Sequence, residues 1–88
     1  MITKNQIKLI RSLRLKKNRI KHNLFVAEGE KIVDELLESK FKLSYLFSTE
    51  NKYNSIKNHV SLKNQELKQI SSLKTPNKVL AVFEIPQE

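Results

Sequence analysis

Apolar side chains recur with two different periods along this chain, and the switches between them mark out its elements. From Asn5 to about Leu13 the apolar residues Ile7, Leu9, Ile10 and Leu13 stand three and four apart on one arc of a helical wheel, and Lys4, Lys8 and Arg11 fill the opposite arc. This spacing predicts a short amphipathic helix with one face on the body and a cationic face outward. Leu15 to Asn23 has no period and many charges, so it reads as a loop or a frayed helical turn. Leu24 to Ala27 is a short apolar run containing Phe25 and Val26, as a buried strand requires, and the only glycine, Gly29, closes it. From Glu30 to Ser39 the residues Ile32, Val33, Leu36 and Leu37 share one helical face. Lys31 and Glu35 are spaced for an ion pair there, and Glu30 sits in the first turn near the positive end of the helix.

The second half continues the alternation. Leu43 to Ser48 (LSYLFS) is rich in aromatic and aliphatic residues and too short for a helix, so it predicts a second strand. Thr49 to Lys57 reads as a loop with one or two helical turns, and His59 to Ser61 as a short third strand. Ser61 or Asn64 is placed to cap a helix whose core face is Leu67, Ile70 and Leu73. Thr75-Pro76 ends that helix, because the residue before proline avoids the α region, and Val79 to Ile85 (VLAVFEI) is the longest strand. Strands alternating with helices predict crossover connections and a sheet covered by helices.

At 88 residues, with 39% hydrophobic residues spread throughout, the chain has the material for one small domain with one core. It contains no cysteine, which removes disulfides, thiolate metal sites and cysteine nucleophiles. His22 and His59 lack the spacing of paired ligands and read as ordinary loop or strand-edge residues, so no metal site is expected. A Rossmann or Walker phosphate loop needs several glycines, and Gly29 stands alone. Glu28 and Glu30 flank it at a strand end; Glu30 reads as a helix-capping acid and Glu28 as a partner for a nearby arginine, not as acid and base catalysts. No signal-peptide core and no run of 18 apolar residues occurs, so a cytoplasmic protein without membrane association is expected.

Charge changes the picture most. Residues 1 to 22 hold eight Lys or Arg and no acid, while the remaining 66 residues hold nine bases and nine acids, so the net charge of +8 comes from the first quarter of the chain. All three arginines, Arg11, Arg14 and Arg19, lie in that quarter; every other cation is lysine. Cations in such a cluster neutralise phosphates and release counterions, and arginine adds planar bidentate donation and stacking on bases. We therefore read Lys8, Arg11, Arg14, Lys16, Lys17, Arg19 and Lys21 as candidate RNA contacts. A basic helix docking an acidic protein is the alternative from another class.

The run LIRSLRLKKNRIKHNLFVAEGEKIVDELLES, together with ELKQISSLKTPNKVLAVFEIP, resembles the N-terminal substrate-binding domain of the SpoU (TrmH-like) RNA 2'-O-ribose methyltransferases of the SPOUT superfamily. The likeness runs from about Lys8 to Pro86 and rests on Ser12-Leu13, Lys16-Lys17, Arg19, Phe25-Val26, Glu28 to Lys31, and Ser72 to Pro76. It implies an α/β fold: a small three-layer α/β/α sandwich around a mixed four-stranded sheet whose last strand opposes the others, similar to ribosomal proteins that bind kinked RNA. It also implies that Lys16, Lys17 and Arg19 contact rRNA or tRNA while Glu28 and Gly29 shape the end of the first strand. The family's methyl transfer belongs to a separate knotted C-terminal domain that binds S-adenosylmethionine, so no cofactor is expected in residues 1 to 88. That domain is expected to follow residue 88. The resemblance further implies a monomeric fragment of a parent that dimerises through the missing domain; a free-standing RNA- or ribosome-binding module is the alternative. The chain departs from the family's usual Gln-Gly after Thr75-Pro76, having Asn77-Lys78 in its place.

Overall fold

A computed structural model describes residues 2 to 87. The elements are α1 (Lys4–Ser12), α2 (Lys16–His22), β1 (Leu24–Glu28), α3 (Glu30–Leu37), β2 (Leu43–Ser48), a 3-10 turn (Asn51–Tyr53), β3 (His59–Ser61), α4 (Asn64–Ile70) and β4 (Val79–Glu84). The run Val79 to Phe83 explains the architecture. All five of its side chains are buried, which requires cover on both faces and neighbours on both edges. The sheet order is β1-β4-β2-β3; β4 runs antiparallel to β1 and β2, and β2 runs parallel to β3. The mixed sheet with its last strand opposed is thus present.

Alternate residues feed two cores. Leu80 and Val82 join Phe47, Ile10, Leu13, Leu62, Leu67 and Ile70 on one face, where α1 and α4 lie. Val79, Ala81 and Phe83 join Ala27, Leu46, Val33 and Tyr53 on the other, beneath α3 and the 3-10 turn. These are the three layers of an α/β/α sandwich. In β2 the register shifts between Leu43 and Tyr45, and this irregularity places Leu43 with the second core and Tyr45 with the first.

Several expectations are corrected. Leu15 to Asn23 is mostly helix, because its capping comes from outside its own periodicity: Leu15 is extended before the first turn, and Asn23 adopts the left-handed conformation (φ 59°) that closes the last. Its apolar Ile20 stays 66% exposed, so no amphipathic pattern could report it. Helix α4 is preceded by Lys63, whose backbone N–H donates to the Glu66 carboxylate at 2.9 Å, not capped by a Ser61 or Asn64 side chain. It ends at Ile70, before the proline acts, so Leu73 lies beyond it and is 43% exposed. Lys31 and Glu35 make no ion pair among the described residues; Glu30 and Asp34 instead both receive Lys52, at 3.1 and 2.9 Å.

Candidate nucleic-acid interface

The basic quarter folds into two helices meeting at a corner. Thr3 starts α1 with a reciprocal cap: its hydroxyl accepts from the Gln6 N–H and its own N–H donates to the Gln6 amide oxygen. Buried Ile10 and Leu13 hold α1 on the sheet, and Leu13 fixes the corner. A helix leaves its last carbonyls without partners. Here α2 supplies them: Asn18 Nδ2 donates to Ser12 O at 2.9 Å, and Arg19 Nη1 donates to Leu13 O and Arg14 O at 2.8 and 3.0 Å. The C-terminal end of α4 is served in the same way from α1 and the turn after it, by Arg11 Nε to Gln69 O at 2.7 Å and Arg14 Nη2 to Ser71 O at 3.0 Å. Cations at both ends also match the negative pole of each helix.

The third wall is Glu28, at the end of β1. Its carboxylate accepts from the Ser71 hydroxyl, from the Ser72 N–H at 3.1 Å and from the Ser72 hydroxyl at 2.8 Å. The expected arginine partner is replaced by this pair of serines, because Arg14 is already turned to the Ser71 carbonyl. Between these walls lies a cleft of about 600 Å³. Ile10, Leu13, Val26 and Ile70 give it an apolar floor, Phe25 borders it, and Arg14, Arg19, Glu28 and Ser72 are its polar lining.

Of the sequence-predicted contacts, Arg14 and Arg19 meet at this cleft. Lys8 and Arg11 lie on α1, and Lys16, Lys17 and Lys21 on α2. Arg19 is half-buried and the other six are exposed. None of the seven forms an ion pair with an acid among the described residues; the cations so engaged are Lys42, Lys52 and Lys78, all outside the basic quarter. Restriction of arginine to this quarter thus has a structural use, since a guanidinium presents several donors in a fixed fork and can hold a carbonyl while others face outward. Sequence reasoning missed the cleft, and with it Ser71 and Ser72; the signal was the SSLKTP segment, polar yet following a buried helix face.

Gly29 has φ 109°, a backbone conformation reserved to glycine, and a Cβ there would meet the Asn77 amide at 3.4 Å. It thus shapes the end of β1 and the start of α3. Asn77 and Lys78 themselves have no positive φ, so their turn needs no glycine.

A three-layer sandwich with a cationic corner on one face is the class these features define. The family is shown by comparison: the model of the MRM3-like substrate binding domain matches residues 4 to 81, and the chain belongs to that family. Among solved structures, a putative RNA methyltransferase of the TrmH family from Porphyromonas gingivalis is 34% identical with a TM-score of 0.87; the match covers 100% of this chain and 37% of that one. The AdoMet-bound rRNA methyltransferase from Sinorhizobium meliloti is 23% identical with a TM-score of 0.79, covering 100% of this chain and 36% of that one. An RNA 2'-O ribose methyltransferase is 18% identical with a TM-score of 0.78, covering 98% and 36%. The last two likenesses establish the fold. This chain therefore spans little more than a third of the structures it matches. No curated protein matches it.

Proposed function

We propose that this domain holds RNA, rRNA or tRNA, for 2'-O-ribose methylation carried out by a domain that follows residue 88 and supplies S-adenosylmethionine. The observation that carries the reading is the set of seven cations on α1, α2 and their corner, free of acid partners among the described residues. Cations already neutralised by neighbouring carboxylates have little to offer a phosphate. None of these seven is so neutralised, and the one acid in the cleft lining, Glu28, is taken up by Ser71 and Ser72. The substrate-binding family of the chain points the same way.

Division of labour follows from the hydrogen bonds. Arg11, Arg14 and Arg19 brace the corner through backbone carbonyls, so they orient rigidly. Lys8, Lys16, Lys17 and Lys21 are exposed and uncommitted, and supply attraction without base specificity. Residues 1 to 88 would then act as a cytoplasmic RNA grip, monomeric alone and paired through the following domain in the parent. The test is replacement of Lys16, Lys17 and Lys21 by Ala. RNA affinity should fall several-fold with the fold unchanged by circular dichroism, and unchanged affinity would remove α2 from the contact.

A further inference from the structure

We infer that the cleft between the α1–α2 corner, the end of α4 and β1 receives a single unstacked nucleotide of the bound RNA, its base on the apolar floor and its phosphate on Arg14 and Arg19. This rests on the reading of the domain as an RNA grip and adds a subsite to it. The cleft, at about 600 Å³, is within the range of small-molecule sites and combines an apolar floor with a few convergent polar groups. A nucleotide has the same division, with an apolar π face and an anionic end.

The polar groups are matched in sense as well as in place. Arg14 gives one N–H to Ser71 O, and Arg19 uses Nη1 for the carbonyls of Leu13 and Arg14. Each guanidinium has five N–H donors, so each is both fixed and able to donate to a phosphate. Glu28 accepts three hydrogen bonds from Ser71 and Ser72. A carboxylate has about four acceptor positions, which leaves one for a base N–H. Charge complementarity selects the occupant: the uncommitted lysines on α1 and α2 continue the cationic surface away from the cleft, as a chain of phosphates leading to one nucleotide requires. A base stacked within a duplex cannot reach the floor, so the nucleotide must come from a loop, bulge or end.

The test uses fluorescence anisotropy with three oligoribonucleotides: a hairpin with a one-base bulge, the same hairpin with that nucleotide abasic, and the fully paired hairpin. The bulged form should bind about tenfold more tightly than the abasic one, the scale of one base on a protein platform. Ser72→Tyr places a ring in the cleft and should lower the affinity for the bulged form to that for the abasic form, with the variant's fold verified by circular dichroism. Equal affinities of the wild-type protein for bulged and abasic hairpins, with salt-sensitive binding to all three, overturn the cleft inference and leave the RNA reading standing. So does a folded Ser72→Tyr protein that keeps the base preference. Failure to bind any of the three at low salt overturns both.

Discussion

Replacing Glu28 by Ala should unlatch the segment that follows α4. Three donors converge on this carboxylate, but they differ in what they lose. Ser72 is exposed, so its N–H and hydroxyl can turn to water at little cost. Ser71 is 8% exposed, and its hydroxyl would be left without an acceptor in a mostly dry site. An abandoned buried donor costs about 1 to 3 kcal/mol. With Glu28 itself only half-buried, about 2 kcal/mol is the expected loss of stability. For a domain of this size that is a fall in Tm of roughly 8 to 16 °C. Urea unfolding followed by circular dichroism measures it, with the midpoint lowered and the slope m unchanged. Hydrogen exchange at the Ser72 amide should speed up more than at the amides of β4. A double-mutant cycle with Ser71→Ala isolates the latch, since the two losses should overlap by about 1 kcal/mol. A change within about 0.5 kcal/mol of wild type, the range of an ordinary surface substitution, or strict additivity in the cycle, would refute the reasoning.

Four further outcomes follow from individual contacts. Gly29→Ala should cost about 1 to 3 kcal/mol in thermal or urea unfolding, because φ 109° is strained for any Cβ-bearing residue whatever the space beside it. Thr3→Ala removes the cap on the first turn of α1 and should cost about 1 kcal/mol, read from the same curves. Burial pushes the Tyr53 hydroxyl up from 10.0 to about 12, with its donation to Asp34 acting in the same direction. A raised folded value favours the protonated form, so this stabilisation is complete below pH 10 and disappears as pH rises from 10 to 12; Tyr53→Phe should flatten that part of a Tm-against-pH curve. His59 shows the opposite sign: burial lowers its value below 6.5, so its contribution is present above pH 6.5 and is lost as pH falls, a loss His59→Gln should remove.

Where the chain buries its side chains, its elements could be read directly. LSYLFS forms β2 over the residues its composition marked, and VLAVFEI forms β4 save its last residue, because only a strand covered on both faces and both edges uses such a run. Helices α1 and α3 also followed from their apolar arcs. Helix α2 could not, since its stability comes from capping and from bonds to α1, neither of which leaves a period; its charged face is solvated and its Ile20 exposed. Leu73 was misplaced for the complementary reason: its spacing after Leu67 and Ile70 fits a helix that stops one turn sooner. Positions of the cations were legible as a cluster. Their distribution was not, because the bonds that turn Arg14 and Arg19 toward one cleft span both a helix corner and the separation of 57 positions from Arg14 to Ser71.

Salt dependence of RNA binding tests the central claim most directly. If about four to six phosphates are neutralised by the α1–α2 surface, a plot of log K against log salt concentration should be linear with a slope of about −3 to −5. Removing Lys16, Lys17 and Lys21 together should make it shallower by about 2. An affinity that is flat between about 50 and 200 mM salt would contradict the account, because binding would then not depend on releasing counterions from a phosphate backbone.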